Sequence, residues 1–300
     1  MDWKSATGGF ESYLRLEKSL SNNSVESYLR DIYKLANYYS EDNYKPPLEI
    51  SYEDLSAFIK EVSLIGYATA SQARLLSSIK AFYKYLLLED CIKVNPATFM
   101  EGPRLNRKLP EVLSHDEIEK MLQAIDLNTP QGLRNKAILE TMYSCGLRVS
   151  EVINLELANV NVRENIIKVL GKGNKERLVP IGRSALRQIE LYINEIRNHQ
   201  KVTSKGDKIL FLNNRGNGLS RVMVFYIIKD LAKLVGINKE VSPHTFRHTF
   251  ATELVNAGAN LRAVQQMLGH ESITTTEIYT HLDKQYLRDT IEQFHPRSRK

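Results

Sequence analysis

Residues 95–110 read NPATFMEGPRLNRKLP, and no other stretch constrains the fold as strongly. Its three prolines and one glycine break any regular element, and its three basic residues favour solvent. The segment separates a first part patterned for helices from a longer part that mixes helix and strand signals. Three hundred residues exceed what one hydrophobic core ordinarily serves. Two domains are therefore expected, 1–104 and 105–300.

Before the break, Val25, Tyr28, Leu29, Ile32, Leu35, Ala36 and Tyr39 follow the helical period. SYED at 51–54 has the form of a capping box and leads into Leu55, Phe58, Ile59 and Val62. A further helix over 69–88 carries Leu75, Leu76, Ile79, Phe82, Tyr83 and Leu86, and another is expected over 10–20. Together these predict a four-helix unit. Its Arg74, Lys80 and Lys84 have two readings, phosphate contacts or a solvated helix face. After the break, SHDE at 114–117 caps a helix with Ile118, Met121, Leu122 and Ile125. Helices are also expected at 133–143, 150–155 and 184–197, and again after residue 220. The β-rich runs IIKVL (166–170) and RLVPI (177–181) flank GKGNKE as a hairpin, and 209–212 reads as one more short strand. The fold class expected is mainly α with a small β-sheet, the second domain being mixed α/β.

Charge is unevenly placed. Residues 1–104 hold 12 Lys and Arg against 14 Asp and Glu, a net of −2, whereas 105–300 hold 29 against 21, a net of +8. A polyanionic partner such as nucleic acid fits that surplus. No apolar run is long enough to span a membrane, and the N-terminal MDWKSATGGFESYL lacks a signal-peptide core. With two cysteines, Cys91 and Cys145, there is neither a disulfide framework nor a zinc cluster, which points to a reducing, cytoplasmic setting.

Five short motifs in the second part carry candidate chemistry: Arg148 in CGLRVSEV, Lys172 and Lys175 in GKGNK, His244, Arg247 and His248 in HTFRH, His270 in MLGHES, and Tyr279 in TTTEIYTHL. Taken singly, each has a plain structural reading: a turn arginine, a solvated lysine, a C-capping histidine, a core tyrosine. Taken together they supply one reaction, attack on a phosphodiester. Two arginines can fork onto the non-bridging oxygens, and histidines can move protons and add hydrogen bonds near neutral pH. A lysine can protonate the leaving oxygen, and a tyrosine can serve as nucleophile beside cations. His244 and His248 also have the i, i+4 spacing of a helical zinc pair, but no general-base glutamate stands between them, and Arg247 there repels a dication. No metal and no cofactor are expected.

These motifs resemble those of the tyrosine recombinases, and more closely the Xer type. The likeness runs through GLRVSEV, VLGKGNKERLVPIG, SPHTFRHTFATELVNAGANLRAVQQMLGHESITTTEIYTHL and the closing HPR, with SQARLLSSIKAFYKYL in the first domain. It implies a helical SAM-like core-binding domain and a catalytic domain that form a C-shaped clamp on duplex DNA. Carried over by position, Arg148, Lys172, His244, Arg247 and His270 are the catalytic set, Tyr279 is the nucleophile, and Glu151 orients the cationic groups. Lys175 is the rival to Lys172, His248 a packing or supporting group, and Cys145 a buried, unreactive thiol.

The resemblance further implies strand exchange at a dif-like site through a 3′-phosphotyrosyl intermediate and a Holliday junction. Its partners are a homotetramer, or a heterotetramer with a paralogous recombinase, and a septal DNA translocase. An integrase of a mobile element and a non-cleaving DNA-binding protein are the alternatives. Leu287, Ile291 and Phe294 give the tail, about 284–300, a helical stripe. That segment is expected to dock into a neighbouring protomer, so that its deletion spares monomer folding.

Overall fold

The computed structural model describes residues 1–40, 43–103, 111–171, 175–269 and 281–298, without the side chains of 281–285 and 298. The chain divides into two compact units, 1–108 and 109–300. The linker residues 104–110 lie outside the described residues.

In the first unit α1 (Trp3–Ser12) continues into a π turn (Tyr13–Glu17) and is followed by α2 (Asn22–Tyr38), α3 (Tyr52–Leu64) and α4 (Thr69–Leu88). The helix α1 begins well before the expected residue 10, because Asp2 accepts a hydrogen bond from the Ser5 amide at 2.7 Å. Gly8 and Gly9 obscure that start in the sequence, since glycine is a poor helix former. Gly9 is nonetheless required: a Cβ there would lie 2.1 Å from the Tyr85 hydroxyl. Its absence lets α1 approach α4, where Phe10 meets the Phe82 ring edge-on at 5.3 Å. The capping box at Ser51 and Asp54 forms as expected. Arg74 binds the fully buried Asp31 carboxylate at 2.6 Å, with the Ser78 hydroxyl at 2.9 Å. Its first task is thus to neutralise a buried carboxylate inside the unit.

The second unit is built around α6 (Pro130–Cys145), between α5 (His115–Gln123) and the short α7 (Val149–Ile153). Every residue from 137 to 147 is buried, so α6 shows little amphipathic pattern and serves as the central helix. Three antiparallel strands follow, β1 (Val160–Asn161), β2 (Ile166–Leu170) and β3 (Glu176–Pro180), in the order β1-β2-β3. Ile167 faces Val179 and Val169 faces Arg177 across the hairpin. Then come α8 (Arg183–Glu195), α9 (Arg221–Leu234), α10 (Pro243–Asn256), α11 (Leu261–Leu268) and α12 (His281–Phe294).

One expectation changes. Residues 209–212 are not a strand: they make only isolated bridges, Glu156 to Ile209 and Leu212 to Gly218. Leu210 and Phe211 are still core, and buried Arg197 donates to the Ile209 and Asp207 carbonyls in place of a sheet partner. The tail, for its part, packs against its own unit. Leu287 and Ile291 share a buried cluster with Phe250, Leu254 and Met267. His295 is fully buried, its ring 4.9 Å from that of Tyr143 and 5.5 Å from that of Phe250. Arg297 reaches Glu140 at 2.8 Å and Glu119 at 3.0 Å. Deleting 284–300 would remove this apolar cover and two ion pairs from the unit.

Candidate active site

The site grows from the ends of three helices. The helix α6 stops at Gly146, whose left-handed backbone (φ 58°) turns the chain toward Arg148. A Cβ at Gly146 would lie 2.4 Å from the Phe250 ring, so α10 packs directly against that turn. Arg148 is the N-cap residue of α7, and Glu151, three residues on, accepts its backbone N–H at 2.8 Å. The same carboxylate accepts Nη1 of Arg148 at 2.9 Å. The helix α11 ends in another left-handed glycine, Gly269 (φ 65°), whose carbonyl accepts Nη2 of Arg148 at 3.2 Å.

Arg247 enters from α10. On a 3.6-residue helix it lies about 60° from His244 on one side and about 60° from Phe250 on the other. It therefore sits at the edge of the core: Arg247 is buried, whereas His244 and His248 are exposed. Its guanidinium donates to two helix-end carbonyls, Gly146 at 2.8 Å and Leu268 at 2.6 Å, which carry partial negative charge. Burial, then repulsion from Arg148, lowers its pKa to about 10, so it stays charged at neutral pH. Phe246 and Phe250 are fully buried and anchor the helix, each contributing about 2–3 kcal/mol by burial.

Sequence reasoning missed one participant. Arg177, buried on β3, forks onto Glu151 with Nη1 at 2.7 Å and Nη2 at 2.8 Å, while Nε donates to the Met267 carbonyl at 2.8 Å. Burial alone would raise the Glu151 pKa. The hydrogen bonds and charge of Arg177, followed by those of Arg148, hold it below the usual carboxylate range. The signal for Arg177 was present: a period-two reading of 177–181 puts it on the same face as Val179 and Ile181, an arginine in an apolar register.

Three arginines thus surround a single carboxylate, with Arg247 4.0 Å from Glu151. Arg148 keeps a third of its side chain in solvent, while Arg177 and Glu151 are closed off. Such a cluster carries excess positive charge beside exposed His244 and suits an oxyanion. Lys172, His270 and Tyr279 lie outside the described residues. Lys175 is exposed at the hairpin, its carbonyl accepting the Gly171 amide. The packing reading of His248 is corrected: its side chain faces outward because Phe246 and Phe250 take the buried side of α10. Cys145 is fully buried, and burial pushes its thiol pKa up. Among the described residues no third metal-ligating side chain joins the two histidines of α10.

Comparison with known proteins adds the following. Residues 111–286 match the phage integrase family, and residues 8–90 match the phage integrase N-terminal SAM-like domain. A tyrosine recombinase XerD of Chlorobaculum tepidum is 41% identical, over 98% of this chain and 97% of the relative. One of Listeria innocua is 38% identical, over 96% of this chain and 98% of the relative. Among solved structures, XerA recombinase is similar at 28% identity and a TM-score of 0.50, covering 98% and 99% of the two chains. XerH bound to a difH substrate shares the fold at a TM-score of 0.70 and 20% identity, covering 90% and 91%.

Proposed function

The chain belongs to the phage integrase family and is a site-specific tyrosine recombinase acting on DNA, and from that premise we propose how its residues divide the reaction. Arg148 and Arg247 hold the non-bridging oxygens of the scissile phosphate, with His244 donating a further hydrogen bond from the exposed side of α10. Tyr279 gives up its phenolic proton to a histidine of the set, attacks the phosphorus and displaces the 5′ oxygen, forming a 3′-phosphotyrosyl bond. Lys172, in this reading, gives the leaving oxygen its proton, and His270 assists at the phosphate. The bond energy is conserved in the ester, so the freed 5′-hydroxyl, or one from a partner duplex, reverses the step without a cofactor.

The observation that carries this reading is the pair of guanidiniums held by fixed acceptors. Glu151, the Gly146 and Leu268 carbonyls and the Gly269 carbonyl set the orientations of Arg148 and Arg247 before substrate arrives. Preorganised charge of this kind stabilises a transition state without reorganisation at the moment of reaction. Four protomers exchange strands pairwise at a dif-like site and so resolve chromosome dimers. Exchange of the tail between protomers requires it to leave the seat under Tyr143 and Phe250. Names of the relatives support the chromosomal role over that of a mobile-element integrase.

A nicked duplex carrying a dif-like site tests the reading, because loss of the short fragment traps the covalent complex. The expected result is adduct formation in excess chelator, reduced on the order of 10²-fold or more by Arg148→Gln. Adduct formation that needs a divalent metal, or that ignores Arg148→Gln, would overturn it.

A further inference from the structure

Arg177 ties together three segments of the site. Its strand position belongs to the hairpin, its fork closes on Glu151 of α7, and its Nε holds the Met267 carbonyl near the end of α11. Gly269 leaves room for it: a Cβ there would lie 3.1 Å from Cδ of Arg177 and 3.2 Å from Nε. Arg148 reaches the same carboxylate but stays partly in solvent, whereas Arg177 is almost wholly enclosed.

We infer that Arg177 is a positioning residue for strand cleavage, the internal counter-ion of Glu151 that leaves the charge of Arg148 available to the phosphate. The inference rests on the reading of Arg148 as a phosphate ligand. Each Glu151 oxygen is shared: Oε1 accepts from Arg177 and from the Arg148 side chain, Oε2 from Arg177 and the Arg148 amide. With Arg177 in place the carboxylate is pinned and its charge is met within the protein. Without it, Glu151 bears more heavily on Arg148, the nearer of its two remaining arginines, whose guanidinium is then drawn into a closed ion pair and away from substrate. Arg247, held by carbonyls, is not free to compensate.

The test measures single-turnover cleavage of the nicked duplex, DNA affinity and thermal unfolding for Arg177→Met, Glu151→Gln and the double variant. Arg177→Met is expected to slow cleavage on the order of 10²-fold while DNA affinity changes by less than about threefold. The double variant, lacking both the carboxylate charge and its counter-ion, is expected to cleave about tenfold faster than Arg177→Met. A merely structural arginine gives the opposite pattern, with losses that add, and that result overturns the inference. Should Arg177→Met not fold, Arg177→Lys decides: it keeps the charge but cannot fork, and a loss of about tenfold is expected. Wild-type cleavage by Arg177→Lys overturns the inference. Arg148→Gln separates the two failures, since its cleaving normally would sink the phosphate reading itself.

Discussion

Arg247, in its proposed role as a phosphate ligand, shows how a single residue can join structure to chemistry. Its two carbonyl partners lie at the ends of different helices, so one guanidinium joins α6, α10 and α11 while keeping its charge. Lysine offers one point charge and cannot bridge both carbonyls and a phosphate. Arg247→Lys should therefore slow cleavage by about 10²-fold in single-turnover assays and also lower the unfolding midpoint. Gly146 is the complementary case. Alanine there meets both a left-handed backbone and the Phe250 ring, so Gly146→Ala should destabilise the second unit by about 2–4 kcal/mol in denaturant unfolding. Arg148, His244 and Arg247 could be named from the sequence because the motifs fix their order and spacing. For Arg177 the sequence shows only an arginine in an apolar register, because its role depends on a carboxylate 26 residues away that the fold of the hairpin brings within reach.

At the scale of elements, the tail seats on its own unit within the single chain. Its stripe of Leu287, Ile291 and Phe294 was correctly read as apolar, but nothing in that pattern says whose surface covers it. Within the single chain, residues beyond the stripe add to its seat. Nδ1 of His295 accepts the Arg297 amide at 3.1 Å, so its proton is on Nε2, which donates to the Tyr143 carbonyl at 3.2 Å. Burial lowers the His295 pKa to about 4, with Arg297 and His115 adding repulsion. Between about pH 6.5 and 4 the unfolded chain binds the extra proton, so His295 favours docking fully above that window and loses its contribution as pH falls. The difference is roughly 3 kcal/mol. Glu140 and Glu253, whose pKa values are raised by burial, act in the opposite sense across the carboxylate range. The comparison is therefore with His295→Gln: limited proteolysis of the tail should accelerate from pH 7.5 to 5 in the parent and much less in the variant. The helices and hairpin themselves were legible because capping boxes at Ser51 and Ser114 and the period-two runs are local signals. The segment 209–212 was not, because its partners are an arginine side chain and isolated bridges.

The whole molecule divides its charge as it divides its chain, with the surplus of +8 in residues 105–300 against −2 before them. If that surplus meets phosphates, affinity for duplex DNA is dominated by counter-ion release. It should fall on the order of 10³-fold between 50 and 200 mM salt in equilibrium binding, a steep log–log dependence that a weakly charged contact would not give. Binding alone does not distinguish a recombinase from a DNA-binding protein that never cuts. The central claim is covalent, and peptide mapping of the complex trapped on a nicked duplex tests it most directly. A single phosphotyrosyl peptide containing Tyr279 is expected, and no adduct from Tyr279→Phe under conditions where that variant still binds DNA. An adduct on another residue, or one that persists in Tyr279→Phe, would contradict it.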